Sequence, residues 1–404
     1  MERVDVAVIG GGQAGLATSH ELTEAGVEHV VLERARLGET WRNRWESFCL
    51  VTPNWTVRLP GHHYDGDDPD GFMLRDEIVA YLERYAAGFD APVREGVDVT
   101  SLAAEPDGGF LLQTSDGELR ARSVVVATGA YQRAHRPDAA RSLPARLPQI
   151  DIEEYRSPDA LLPGGVLIVG SGQSGCQIAE ELREAGREVF LACGRAPWSP
   201  RRIGERDFVW WIAETGMFDQ TVEQLPAPAA RLAANVLATG RNRGHDLSLR
   251  TLREAGVTLL GRFLGAEGEQ ARFADDLAAS VAWGDDRYRE FVDKVNGLVE
   301  ERGSPAPSLP EPAPFDGTCP QELDLSGVGV VIFAGGFRPD YGWIDVPDLV
   351  DELGFPLHVD GASPAADGLY FVGVHFLRKR QSSLLYGVGE DAALVARQIA
   401  AAAT

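Results

Sequence analysis

Four cysteines are scattered through 404 residues, and Cys49, Cys176, Cys193 and Cys319 form neither a C-x-x-C pair nor a metal-ligand spacing. That weighs against a redox dithiol and leaves the thiols as small packing residues in a reducing compartment. Positive charge is also short: 38 Lys and Arg face 61 Asp and Glu, for a net charge of -23. A nucleic acid or an anionic membrane surface would be repelled, so neither is expected as a partner. No apolar run approaches the roughly 20 residues that cross a bilayer, so no integral membrane segment is expected. The first strand begins almost at Met1, which leaves no room for a secretory leader and predicts a cytoplasmic protein. His62 and His63 have no carboxylate or cysteine at ligand spacing, so no metal is expected. No Ser/His/Asp or paired-carboxylate constellation stands out either. Any chemistry must therefore come from a bound group.

What the chain does contain is a glycine turn that recurs. Val4 to Ile9 reads as a strand, Gly10-Gly11-Gly12-Gln13-Ala14-Gly15 as a turn into a helix, and Val30-Val31-Leu32-Glu33 as a second strand. Gly10 lets the chain leave the strand sharply, Gly12 lets the backbone approach a pyrophosphate, and Gly15 lets helix and sheet pack closely. The helix N-terminus, with its unpaired N–H groups and partial positive charge, is then aimed at the phosphates. Glu33 can accept hydrogen bonds from an adenosine ribose and would repel a 2′-phosphate. This first site should prefer FAD or NAD over NADP.

The unit returns as Val166-Leu167-Ile168-Val169-Gly170-Ser171-Gly172-Gln173-Ser174-Gly175, with Ile178, Leu182 and Val189 continuing the pattern. Each copy has a closing strand with a small-residue end, Ala127-Thr128-Gly129 after the first and Ala334-Gly335-Gly336 after the second. An internal duplication of this kind predicts an α/β protein with two Rossmann-like dinucleotide-binding domains. The second copy has no acid in the place of Glu33; its second strand runs into Gly194-Arg195 and on to Arg201-Arg202. Arginine there favours a 2′-phosphate, which predicts NADPH, with NADH possible. The expected division is a discontinuous FAD domain over 1–158 and 322–404, with the NAD(P)H domain inserted over 159–321.

The remaining signals are local. Gly38 to Trp45 interleaves tryptophans and arginines, and reads either as a loop along a flat cofactor or as an aromatic anchor. Arg75 to Tyr85 has helical spacing, with its tyrosines facing the core. Asp107-Gly108-Gly109 and Asp116-Gly117 mark hairpins inserted into the first domain. Near the C-terminus, Arg378 to Ser383 is a polar loop before a helix opened by Gly387-Val388-Gly389, whose N-terminus would stabilise an anionic reduced flavin; simple packing is the competing reading.

With both fingerprints, Thr40-Trp41 and the Phe337-Arg338-Pro339-Asp340-Tyr341 strand exit, the chain resembles the bacterial flavin-containing monooxygenase-like flavoproteins. These are single-component enzymes in which the first fingerprint holds FAD and the second NADPH. The resemblance implies that NADPH reduces the flavin and that one oxygen atom passes, through a flavin peroxy adduct, to a small organic substrate. N- or S-oxygenation and Baeyer–Villiger chemistry are all open, molecular oxygen is the co-substrate, and a homodimer is possible. To the FAD it assigns Gly10, Gly12, Gln13, Ala14, Gly15, Glu33, Arg34, Thr40, Trp41, Val99, Ala127, Thr128, Gly129 and Gly389. To the NADPH it assigns Gly170, Gly172, Gln173, Ser174 and Gly175, beside the Arg195 and Arg201 already read there, and Ala334, Gly335 and Gly336 are further cofactor-binding candidates. Val51, Asn54 and Gln381 are the candidates beside the flavin. Two positions depart from the family pattern: Asp151 stands where a His is usual, four residues before Tyr155, and Val51 replaces an Asn before Thr52-Pro53. An NAD(P)H oxidase or quinone reductase, and a non-catalytic flavin redox sensor, are the alternative readings.

Overall fold

The computed structural model describes residues 2–403. It contains two main β-sheets, each built around one glycine turn. In the larger sheet, Glu2–Ile9 lies between Gly117–Val126 and His29–Glu33, parallel to both, and Val93–Glu95 follows on the far side of His29–Glu33. The last four residues of Glu2–Ile9, of Gly117–Val126 and of His29–Glu33 are continuously buried because both sheet faces are covered there. One face carries the fingerprint helix Gln13–Glu24, the helix Arg75–Gly88 and the terminal helix Val388–Ala403, around Leu16, Leu22, Ile78, Tyr81, Leu82, Val395 and Ile399. Tyr81 and Tyr85 of the middle helix are core residues, as their spacing predicts.

The hairpin region extends the same sheet. Val99–Ala104 and Phe110–Thr114 pair antiparallel, and Phe110–Thr114 pairs with the first half of Gly117–Val126. The second half of that long strand pairs in parallel with Leu369–Phe371. One strand thus joins the hairpin layer to the nucleotide-binding layer, and brings the C-terminal segment back to the first glycine turn.

The smaller sheet is wholly parallel, in the order Gln149–Asp151, Val328–Phe333, Gly165–Val169, Val189–Ala192, Thr258–Leu260. The fingerprint helix Gln173–Glu184 covers one face and the antiparallel strands Phe263–Glu267 and Gln270–Phe273 cover the other. Its membership differs from the expected division at 158/159 and 321/322. Gln149–Asp151 and Val328–Phe333 both lie inside this sheet, because the closing strand of the second copy needs the fingerprint strand as its parallel partner. The crossings fall instead at the paired strands Arg133–Ala134 and Phe337–Arg338. Among the described residues no helix is long and apolar enough to cross a membrane.

Ser47 of the first unit donates to Glu181 at 2.6 Å, and Tyr155 donates to the other oxygen of the same buried carboxylate at 2.9 Å. This tie holds the loop after Trp45 against the second fingerprint helix. Both helices approach their strands as closely as sterics allow. A Cβ on Gly15 would lie 1.8 Å from the Gly10 carbonyl oxygen, and one on Gly175 would lie 2.0 Å from that of Gly170. Gly15→Ala and Gly175→Ala should each lower stability by about 3 kcal/mol or more, the upper part of the overpacking range, as read from urea unfolding midpoints.

Candidate functional site

The two glycine turns share one geometry. Gly10 and Gly170 have φ of 111° and 116°, in the region that favours glycine. A side chain at either would strike the closing strand, with Cβ 2.6 Å from the Ala127 oxygen and 2.4 Å from the Ala334 oxygen. The small-residue strand ends are therefore the packing partners of the turns. Neither helix has a side-chain cap, and Gly12 and Gly172 occupy the N-cap positions. The first-turn N–H groups are left for an external acceptor. At Gly12 a Cβ would meet nothing within 4 Å, so the space above the first turn is open. Both turns fit a pyrophosphate.

The copies part at the next strand. Glu33 is buried and accepts from the Gly11 amide at 2.7 Å and the Ala35 amide at 3.0 Å. The acid is thereby fixed at the edge of the turn, with lone pairs left for hydroxyl donors. In the second copy the register places Cys193 where Glu33 stands, since Ile9 pairs with Leu32 and Val169 with Ala192. Ser171 takes the place of Gly11, and its hydroxyl bonds both the amide and the carbonyl of Gly194, at 2.9 and 3.1 Å. Arg195 follows, exposed and without an ion pair or hydrogen bond among the described residues.

Around the first turn the structure gathers Gly38 to Trp41 and the C-terminal loop. Gly38 donates to the Gly11 carbonyl at 3.1 Å. The Trp41 indole donates to the Gln13 side chain at 2.9 Å, and Gln13 donates to the Ser383 carbonyl at 2.9 Å. Thr40, Arg34 and Thr128 are exposed, and Thr128 accepts from Gln132. Val99 is half-buried at the head of its strand. Around the second turn, Gln173 bonds the backbone of Ala238, so the 234–238 segment lies against the helix start. Ser174 is half-buried.

Several candidates are occupied elsewhere. Arg201 is 2% exposed, ion-paired to Asp207 at 2.8 Å and stacked under Phe72 at 4.3 Å, and it donates to the Val51 carbonyl at 2.8 Å. It is an internal strut and cannot reach a 2′-phosphate. Asn54 uses both ends of its amide on its neighbouring loop, donating to Asp68 and accepting from Met73. Gln381 is buried and donates to Asp219 and Glu390. A Cβ on Gly389 would meet the Pro60 ring at 3.1 Å, which makes this glycine a packing contact of the terminal helix. Val51 is half-buried near Trp55 and Trp210. Asp151 is held by both guanidinium nitrogens of Arg136 at 2.7 and 2.9 Å. The basic loop is likewise spent: Arg378 pairs with Asp360 and Asp391, and Lys379 with Asp219 and Glu390.

The residues that sequence reasoning missed follow the strand Leu369–Phe371. A Cβ on Gly373 would come within 2.5 Å of Ala14, so this loop closes against the fingerprint helix. His375 comes next and lies 3.4 Å from the Ser383 hydroxyl. Burial, then the charges of Arg380 and Arg231, push its value down to about 4. Phe376 has φ of 53°, a costly conformation for a bulky side chain, and is stacked under Arg380. A glycine followed by His-Phe just after a buried strand was the available signal. The thiols are free, and burial pushes Cys49 up to about 11 and Cys193 up to about 12, far from reactive thiolates. Among the described residues no three His, Cys, Asp or Glu side chains form a metal site.

An open acid-edged turn and a second turn edged by a free arginine, on one α/β frame, are the arrangement of an oxidoreductase with two nucleotide sites. Residues 7–215 match the pyridine nucleotide-disulphide oxidoreductase family. An uncharacterized CzcO-like oxidoreductase of Geobacillus kaustophilus is 32% identical over 96% of both chains. Human flavin-containing monooxygenase 5 is 27% identical over 85% of this chain and 64% of that protein. A flavin-containing monooxygenase from Stenotrophomonas maltophilia has the same fold over the full length of both chains, with a TM-score of 0.70 at 21% identity. The chain belongs to the pyridine nucleotide-disulphide oxidoreductase family, as a flavin-containing monooxygenase-like oxidoreductase.

Two outcomes test this geometry. Gly12→Ala should fold with at most about 1 kcal/mol lost at the N-cap, because its Cβ meets nothing within 4 Å, yet weaken binding of a dinucleotide to the turn, measured by titration with FAD, because the methyl narrows the open space above it. For His375 the folded value of about 4 lies below the ordinary 6.5. Between those values the unfolded chain binds more protons, so stability is full above about pH 6.5 and is lost as pH falls through about 4. His375→Gln should flatten that part of the profile in urea midpoints taken from pH 4 to 7.

Proposed function

We propose that this chain is an FAD-dependent, NADPH-consuming monooxygenase acting on a small organic substrate. The single observation that carries the reading is the inequality of the two turns, an enclosed carboxylate at the edge of one and an unpaired arginine at the edge of the other. Glu33 would accept from the ribose hydroxyls of FAD, with the uncapped amides of Gln13 to Gly15 on its pyrophosphate. The first-turn amides after Gly172 would hold the NADPH pyrophosphate, and Arg195 its 2′-phosphate. In this reading the flavin unit is 2–148 with 334–403 and the nicotinamide unit is 149–333, as the sheet pairing suggests. When bound, the flavin supplies hydride acceptance and oxygen activation. The chain supplies placement and dryness: Trp41 and Ser383 are pinned through Gln13, and the aromatic pair Trp45 and Phe48 closes the adjoining loop.

The oxidase reading has one observation in its favour. With Val51 in the place of an Asn and the Asn54 amide fully engaged, the 51–54 loop offers no free side-chain amide. Such a site would release hydrogen peroxide in place of an oxygenated product.

The decisive experiment follows NADPH consumption, hydrogen peroxide and product with amines, sulfides and ketones. The expected result is an oxygenated product with at least one class and less peroxide than NADPH consumed. Peroxide equal to NADPH with every class would reject oxygenation in favour of the oxidase. Arg195→Ala should raise KM for NADPH about tenfold, equal to the loss of one charge-assisted contact, and leave KM for NADH unchanged.

A further inference from the structure

The junction of the two units holds a pocket of about 310 Å³ that none of the roles above uses. One wall comes from the first unit, with Trp55, Arg58 and Tyr386; the other comes from the hairpin and helix of the second, with Arg202, Arg206 and Trp210. Its aromatic rings already carry cations. The Arg58 guanidinium lies 4.8 Å from the Tyr386 ring centre and 5.7 Å from that of Trp55, and Arg206 lies 5.3 Å from that of Trp210.

The nearby carboxylates do not neutralise these arginines. Asp207 is spent on the buried Arg201, and Glu214 pairs with Arg302 at 2.7 Å. Asp70 and Glu205 also line the pocket, both exposed, and neither forms an ion pair with any of the three arginines. Arg58, Arg202 and Arg206 therefore keep their donors, apart from one bond from Arg58 to the Trp55 carbonyl at 3.2 Å. Guanidinium groups on ring faces, with free N–H forks, suit a planar anion. A cation would find the ring faces capped.

We infer that this pocket binds an aromatic carboxylate, its ring against the edges of Trp55, Trp210 and Tyr386, whose faces the arginines cover, and its carboxylate on Arg202 and Arg206. Tyr386 lies three residues along the chain from Ser383, whose carbonyl is held by Gln13 on the first fingerprint helix, so this wall of the pocket and the first turn share one C-terminal loop. That the bound acid is the substrate rests on the oxygenase reading; that the pocket takes an acid does not.

The test is calorimetric titration of the FAD-loaded protein with phenylacetate and phenylacetamide, which differ in charge and little in shape. Phenylacetate should bind at least about tenfold tighter than the amide, and more weakly as salt is raised. Arg202→Gln with Arg206→Gln should remove that difference while leaving the flavin spectrum unchanged. Equal binding of acid and amide, no binding of either at 10 mM, or an unchanged preference in the double variant would overturn the inference. Tighter binding of phenethylamine than of phenylacetate would also overturn it, since Asp70 and Glu205 would then make the site one for a cation. Oxygenation of amines or sulfides by a protein that binds no acid would leave the oxygenase reading standing without this pocket. Tight acid binding by a protein that releases only peroxide would do the reverse.

Discussion

The contact between a helix and the carbonyl at the end of its strand sets the plan of the molecule. At Gly15 and Gly175 there is no room for a single methyl group, and at Gly10 and Gly170 the closing strand presses from the other side. Three elements meet at each turn within contact distance, and the meeting fixes where the uncapped helix start points. Every later feature of the site is placed relative to these two contacts. The Gly38 loop bonds Gly11, the C-terminal loop packs on Ala14, and the closing strands end where the first glycines begin.

That is why the fold was legible in the sequence and much of the site was not. Glycine at these positions is a steric requirement of the chain itself, so the spacing of Gly10, Gly12 and Gly15 carries the geometry without knowledge of distant partners. Arg201 shows the limit. Its neighbours in sequence, Arg195 and Arg202, are exposed, and only the fold reveals that Asp207, Phe72 and the Val51 carbonyl enclose it. The hydrogen bonds of Asn54 and Gln381 are hidden from the sequence for the same reason, since their amides are consumed by residues brought to them by loop closure. The division between the units was misplaced because a strand's membership depends on which strand pairs with it. His375 and Phe376 carried a signal in their residue types, but its meaning depends on the loop that buries them.

The units are held by polar ties that cross between them. Glu181 accepts from both Ser47 and Tyr155, Arg201 reaches Val51, and Lys379 and Arg380 bind Asp219 and Gln220. The partners are a carboxylate, a backbone carbonyl and an amide as well as hydroxyls, so the two units are held in one register by several directional bonds. A reaction that passes a hydride from one nucleotide to the other needs this registry more than it needs any one catalytic side chain.

The difference between the two turns is itself a coupled pair of choices. A Cβ on Gly11 would lie 2.9 Å from the Glu33 Cβ and 3.2 Å from its carboxylate oxygen, so the buried acid is seated by a glycine in the middle of the turn. In the second copy the middle position is Ser171, whose hydroxyl occupies the Gly194 backbone, and the residue in the place of the acid is Cys193, buried and turned to its own strand. A side chain at Gly11 would press on Glu33, whereas Ser171 stands in the middle of the second turn beside a cysteine. A single exchange therefore does not convert one site into the other. The middle residue and the strand end differ together between the two copies, so the duplicated unit presents two different edges.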